Sequence, residues 1–262
     1  MNPYLTVAIK AAQAAAAIHR FHAADSDKQV DTKANYADIV TKVDKLSEER
    51  VREVISAAYP NHSILGEEEG EYEGADASHR WIVDPLDGTT NYASGFPFYS
   101  VSIALEVEGR LEVGVILDSV RGQLYSAVRG KGAQMNGAPI QVSSTPSIDR
   151  AVLSTGFNAI EKDIDVNLPA FGRGVRQARA VRRAGSAALD LCMVASGQTE
   201  GFWELKLHAW DVAAGVLILS EAGGTVTDQH GEEYELGSAV MVSSNGLIHD
   251  ELLAMLALPD SW

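Results

Sequence analysis

Trp81-Ile82-Val83-Asp84-Pro85-Leu86-Asp87-Gly88-Thr89-Thr90-Asn91-Tyr92 passes from an apolar run into an acidic turn. Trp81 to Val83 reads as the end of a buried strand. Pro85 fixes its own φ and keeps Asp84 extended. Asp87-Gly88 is a turn signal, and Gly88 lets a ligand approach the backbone closely. Thr89, Thr90 and Asn91 are residue types that cap helices. The expected geometry is strand, acidic turn, helix start. Carboxylates attract cations, and the unpaired N–H groups of a helix start attract anions. Both within a few residues point to a metal-assisted phosphate site.

Working outward, the flanking chain divides into two styles. Residues 4 to 22 are alanine-rich, with Leu5, Ile9, Ala12 and Ala16 at helical spacing. Asp25 to Asn35 is polar and aperiodic, a loop. Lys45 to Tyr59 is a second helix, with Val51, Val54, Ile55 and Ala58 at i, i+3, i+4 and i+7. Glu71 to His79 reads as an exposed loop. Tyr99 to Val107, Leu111 to Asp118 and Gln123 to Val128 alternate with period two, forming an antiparallel meander. Asn136-Gly137 marks a further tight turn. Ser143 to Ser147 is the expected seam between an N-terminal α+β half (1–145) and a C-terminal α/β half (146–262). There, strands at 151–155, 201–205, 225–228 and 239–243 alternate with helices at 186–196, 211–221 and 248–256. Leu168 to Gly174 belongs to a helix or its end.

The bulk numbers suit one large globular unit or two fused ones. The chain has 262 residues, 46% hydrophobic and 22% charged. No apolar run is long enough for a bilayer, and the N-terminus lacks signal-peptide order, so the expected location is cytoplasmic. The single cysteine, Cys192, excludes an internal disulfide and a thiolate metal cluster. A formal charge of −15 disfavours nucleic acid and anionic membranes as partners. It would also repel a phosphate ester, unless bound divalent cations invert the local field.

Glu67, Asp84, Asp87 and Asp211 are the candidate metal ligands. Oxygen-only ligation selects hard cations such as Mg²⁺ or Mn²⁺. Asp84 ends an apolar strand and needs a partner there. Glu67 sits in an acidic cluster and, taken alone, reads more readily as a solvated glutamate. Asp211 is either a helix-start acid or a ligand, and Asp44 reads as an N-cap for the helix near Lys45.

Gly66-Glu67-Glu68, the 81–91 run, Trp210-Asp211-Val212-Ala213-Ala214-Gly215 and Glu221-Ala222-Gly223-Gly224 together resemble the signatures of the inositol monophosphatase family. The similarity covers nearly the whole chain. It implies a layered α-β-α-β-α sandwich of mixed α/β class, usually a homodimer, hydrolysing a phosphate monoester with Mg²⁺. By matching motif, Glu67, Asp84 and the Leu86 carbonyl would hold one Mg²⁺, and Asp84, Asp87 and Asp211 a second. Glu67 would meet a third ion through water. Asp44 would accept the Thr89 hydroxyl proton, and Thr89 would orient the attacking water. Asp87, Gly88, Thr89 and Asp211 would face the phosphate. Gly185, Ser186 and Ala187 would line the sugar pocket, with Glu204 accepting polyol hydroxyls. Lys33, in a segment resembling the family's mobile loop, is a further candidate, with a solvated lysine as the alternative. His208 reads as a packing residue. The substrate implied is myo-inositol 1-phosphate. Fructose 1,6-bisphosphate, a 3′-phosphonucleotide, histidinol phosphate and NADP remain open, as does a non-enzymatic role as a protein-binding or RNA-machinery-associated module.

Overall fold

Alanines set the first layer. A computed structural model of the chain describes residues 2–32, 39–158 and 161–259. Helix α1 (Pro3–His22) starts where the Asn2 side chain accepts from the Tyr4 and Leu5 amides, with proline in its first turn. Its Ala8, Ala11, Ala12, Ala15 and Ala16 are fully buried, small enough to bring α1 close to helix α2 (Lys42–Ala58) and to the sheet beneath. Before α2, the short strands β1 (Asp31–Thr32) and β2 (Ile39–Val40) pair antiparallel.

The second layer is an eight-stranded sheet. Its members are β3 (His62–Gly66), β4 (Gly70–Tyr72), β5 (Asp76–Asp87), β6 (Ser100–Val107), β7 (Arg110–Asp118), β8 (Leu124–Val128), β9 (Ala133–Met135) and β10 (Ala138–Pro139). Their order is β10-β9-β8-β7-β6-β5-β3-β4, antiparallel except for the parallel β3–β5 pair. Helix α3 (Thr89–Ser94) follows β5. The expected meander is present as β6, β7 and β8, and Asn136-Gly137 turns β9 into β10 with positive φ at both residues.

A third layer, α5 (Ala187–Ala195) and α6 (Ala209–Glu221), lies between this sheet and a second one. The second sheet contains β11 (Val152–Thr155), β12 (Ala180–Arg182), β13 (Gly201–Leu205), β14 (Thr225–Thr227) and β15 (Val240–Ser244), ordered β12-β11-β13-β15-β14. Helices α4 (Glu161–Gln177) and α7 (His249–Leu256) cover its far side. The fold is the expected α-β-α-β-α sandwich. Because α5 and α6 are covered by sheets on both faces, they are apolar nearly all round, as a middle layer requires.

Three expectations are corrected. Residues 71–79 are not a loop, since β4 and the start of β5 occupy most of the span. Their polarity hides a strand whose charges are answered across the ladder: Arg80 stands opposite Glu106 and pairs with it at 3.2 Å. Helix α2 begins at Lys42, with Thr41 as N-cap, so Asp44 is its third residue rather than its cap. Lastly, β5 runs on through Asp84 to Asp87, and the cap of α3 is Gly88, with no side-chain cap from Thr89, Thr90 or Asn91.

Candidate active site

The ladder between β5 and β6 breaks register between Asp84 and Asp87. Pro85 has no N–H to pair, so the strand bulges there. The Leu86 amide turns back to donate to Asp84 Oδ1 (2.9 Å), and the Leu86 carbonyl accepts from Thr89 Oγ1 (3.0 Å). Gly88 then takes a left-handed φ of 93°. A Cβ there would sit 3.0 Å from the Phe98 carbonyl and 3.2 Å from that of Gly185, so both conformation and space demand glycine.

This turn places Thr89 against α2. Its hydroxyl donates to Asp44 Oδ1 at 2.8 Å. Asp44 Oδ2 accepts from the Thr41 amide (2.8 Å) and hydroxyl (2.6 Å). Asp44 is fully buried, and loss of water raises its carboxyl above the usual range against the pull of these hydrogen bonds.

Asp87 is held from the other half of the chain. Its Oδ2 accepts from the Ser186 hydroxyl, the Ala188 amide (3.0 Å) and, more distantly, Ser100 Oγ (3.4 Å). Ser186 is also the N-cap of α5. Burial pushes the Asp87 carboxyl up to about 6, while these donors oppose the rise. Asp211 is the third residue of α6, and its Oδ2 accepts from the His208 amide at 2.7 Å. It is therefore a helix-start acid that also points charge into the site. Glu67 follows β3 in a turn whose amide donates to the Val83 carbonyl (3.3 Å).

The charges of the other three acids are all felt at Asp84. Asp84 stands well above the ordinary carboxylate range, first because burial strips its water, then because the charges of Glu67, Asp87 and Asp211 bear on it. Among the described residues, the charges that move Asp84 most are thus three other acids. The carboxylate oxygens of this donor set suit a hard divalent cation, which would relieve both the desolvation and the repulsion, although their atoms do not close to within 4.8 Å of one another as those of His62, Asp76 and His79 do.

Glu204 lies on β13, and its carboxyl is pushed well up by loss of water and then by the charges of Asp190 and Asp211, with Arg183 opposing. A side chain on Gly156 would overlap the Glu204 carboxylate, so that glycine keeps its place open. Of Gly185, Ser186 and Ala187, Ser186 reaches Asp87 through its hydroxyl. Asn91 Nδ2 donates to the carbonyls of Phe98 (2.7 Å), Ala184 (2.8 Å) and Gly185 (3.2 Å), stitching that loop to α3. His208 stacks on Trp210 at 4.6 Å, a packing arrangement as expected. Cys192 is fully buried. Lys33 lies outside the described residues.

Three contributors escaped the sequence reading. Thr41 caps α2 and anchors Asp44. Asp190, a buried residue of α5, is one of the charges felt by Glu204. Glu48, fully buried, accepts from the Glu68 amide (2.8 Å), the Glu69 amide (3.0 Å) and Arg52 Nε (3.0 Å), and so holds the Glu67 turn. Its signal was the four-residue step from Asp44, which puts both acids on one face of α2. A separate His62, Asp76 and His79 group has metal-ligand character. It sits at the opposite end of β3 and β5, and His62 Nδ1 already accepts from Trp81 Nε1 at 3.1 Å.

The sequence model of the Inositol monophosphatase family matches residues 1–258. Nus factor SuhB of Pasteurella multocida is 43% identical over 255 residues, covering 97% of this chain and 95% of that protein. Nus factor SuhB of Escherichia coli K12 is 38% identical over 255 residues, covering 97% and 96%. Among solved structures, the extragenic suppressor protein suhB of Bartonella henselae has a TM-score of 0.94 at 37% identity, covering 97% of this chain and 98% of that one. An inositol monophosphatase from Anabaena has a TM-score of 0.88 at 39% identity, covering 98% and 96%. Similarity that runs the length of the chain, in sequence and in fold alike, makes this protein a member of the inositol monophosphatase family.

Proposed function

We propose that the chain hydrolyses a phosphate monoester with Mg²⁺, and that its substrate is myo-inositol 1-phosphate. The charges of Glu67, Asp87 and Asp211 felt at the buried Asp84, together with the Asp44–Thr89 pair, carry the reading. Glu67, Asp84 and the Leu86 carbonyl would hold one Mg²⁺, and Asp84, Asp87 and Asp211 a second, with Glu67 serving a third through water. When bound, such ions supply Lewis acidity to the phosphate and lower the pKa of water. Thr89 Oγ1 shares its only hydrogen between Asp44 and the Leu86 carbonyl, so toward a water it can act only as an acceptor. That orients the nucleophile for in-line attack on phosphorus. The Gly88 and Thr89 amides would stabilise the phosphoryl oxygens. Gly185, Ser186, Ala187 and Glu204 would seat the polyol.

Family membership supports a Mg²⁺-dependent phosphatase; the substrate is our reading, motivated by Glu204. Phosphate release from inositol 1-phosphate should require Mg²⁺, and Asp87→Asn should lose nearly all of it. Full activity of Asp87→Asn in chelator would discard the idea. If fructose 1,6-bisphosphate or another bisphosphate leads inositol 1-phosphate by more than about tenfold in kcat/KM, or about 1.4 kcal/mol, the substrate half fails.

On the same reading the chain works as a cytoplasmic homodimer, with residues 1–145 and 146–262 each supplying part of one site. Among the described residues no helix is long and apolar enough to cross a membrane. The charge of −15 argues against direct nucleic-acid binding. A second reading draws on the relatives named Nus factor: a protein-binding role that does not need turnover. A pull-down that survives Asp87→Asn, with no turnover on any phosphate ester, would favour it.

A further inference from the structure

His19 lies in α1, whose other buried residues are alanines, yet its ring reaches the acidic bulge. It is fully buried. Its Nε2 is 3.0 Å from the Pro85 carbonyl oxygen and its Nδ1 is 2.8 Å from Ser119 Oγ. A carbonyl can only accept, so Nε2 carries the proton and Nδ1 accepts from the Ser119 hydroxyl. The other edge of the same peptide unit is also engaged, since the Leu86 N–H donates to Asp84 Oδ1 at 2.9 Å. A peptide unit is planar and turns as one body. Holding the Pro85 oxygen therefore sets the direction of the Leu86 N–H, and that N–H orients the Asp84 carboxylate. The next carbonyl, Leu86, belongs to the following peptide plane and takes Thr89.

We propose that His19 is a positioning residue for divalent-cation binding, acting through the Pro85–Leu86 peptide on the Asp84 carboxylate. The proposal rests on the Mg²⁺ reading of the site. A merely structural role, in which His19 fills a buried gap and satisfies two polar neighbours, would change stability but not cation affinity.

Glutamine and asparagine separate the two. The glutamine amide nitrogen can stand where imidazole Nε2 stands and donate to Pro85. Asparagine reaches only the Nδ1 position, serving Ser119 and leaving the Pro85 oxygen bare. The full chain, without substrate, is titrated with Mn²⁺, and free Mn²⁺ is read by its electron paramagnetic resonance signal. Thermal unfolding in chelator is measured alongside. His19→Gln should keep the wild-type Mn²⁺ dissociation constant to within about threefold, whereas His19→Asn should weaken it about tenfold, the scale of one hydrogen bond. Ala12→Gly, which loosens α1 without touching Pro85, should lower the unfolding temperature and leave Mn²⁺ affinity unchanged. Equal Mn²⁺ constants for His19→Gln and His19→Asn overturn the proposal, as does an Ala12→Gly variant that weakens Mn²⁺ as much as His19→Asn. A wild-type chain that binds no Mn²⁺ overturns the metal reading itself, and the proposal with it.

Discussion

The Thr89 hydroxyl donates to Asp44 Oδ1 at 2.8 Å, joining the first residue of α3 to the third residue of α2. Asp44 is at once the acid of a capping box with Thr41 and the acceptor for Thr89, so one side chain stabilises a helix end and aims a hydroxyl. Helix position and chemistry are therefore coupled at this point. A shift of α2 by one residue would remove both.

Asp44→Asn keeps the size of the side chain but replaces one acceptor oxygen with a donor, which must then face either Thr41 or Thr89. With Thr89 no longer held, kcat should fall about 100-fold or more, the scale of positioned proton-handling groups. KM for inositol 1-phosphate should change little, because the pair touches water rather than polyol. The impaired cap should cost about 1 kcal/mol in urea unfolding. Unchanged kcat would remove the pair from the mechanism.

Glu48 makes a second test, at a distance from phosphate. It offers two oxygens to the Glu68 and Glu69 amides and to Arg52, with no exposure to solvent. Glu48→Ala leaves Arg52, whose side chain is 15% exposed, with only the Gly70 carbonyl and the more distant Glu69 carboxylate, and frees the turn that carries Glu67. Breaking a buried pair of this kind costs about 3 kcal/mol. Activity at saturating Mg²⁺ should recover most of its wild-type value while the Mg²⁺ concentration for half activity rises several-fold, about 1 kcal/mol. A destabilised variant with unaltered Mg²⁺ dependence would show that the turn does not need Glu48 to hold Glu67.

The legibility of these features in the sequence followed their locality. The acidic turn was readable because Asp84, Pro85, Asp87 and Gly88 lie together and each restricts the backbone by itself. The period-two meander was readable because its strands have one buried face. Residues 71–79 misled because the charges there are answered by near neighbours, Glu71 by Arg80 and Asp76 by His79, instead of alternating with apolar groups. Asp44 was one turn out of place because Val40 and Val43 flank the Thr41 cap and blur the start of α2. Glu48, beyond its four-residue step from Asp44, and His19 were hard to read for a different reason. Their partners are backbone groups 20 and 66 residues away, and no side-chain pattern advertises a backbone acceptor or donor.

Glu204 separates recognition from chemistry. Its carboxyl is pushed up by lost water and neighbouring acids, so it is costly to the fold and worth keeping only if something uses it. Glu204→Gln removes that cost and should not destabilise the protein. On a polyol phosphate, kcat/KM should fall about tenfold or more, since one hydroxyl acceptor is lost. On phenyl phosphate, which has no hydroxyl to bind, it should change less than about twofold, about 0.4 kcal/mol. Equal losses on both substrates would take Glu204 out of the polyol site.

His19 also predicts how acid acts on the fold. Burial first, with Arg20 adding to it, pushes the imidazole down to about 3 against the Pro85 hydrogen bond, so the folded chain keeps it neutral. In the unfolded chain an ordinary histidine takes up a proton below about 6.5. Between these values the unfolded state binds more protons than the folded one, so the stability His19 permits is present above pH 6.5 and drains away as pH falls toward 3. Well inside that window the slope is about 1.4 kcal/mol per pH unit. Asp87 works in the opposite sense: its raised carboxyl, at about 6, makes the folded state the better proton binder, so that group favours folding as acid is added. Wild type alone would therefore show a blurred profile. His19→Gln removes only the histidine, and both proteins share the acids, so their difference isolates it. Urea unfolding in chelator from pH 8 to pH 4 should show wild type losing about 3 kcal/mol more than His19→Gln between pH 6.5 and pH 4, with a constant difference above pH 7.5. A difference that stays level down to pH 4 would mean that the ring accepts a proton where it stands, and that its contact with Pro85 is not closed to water.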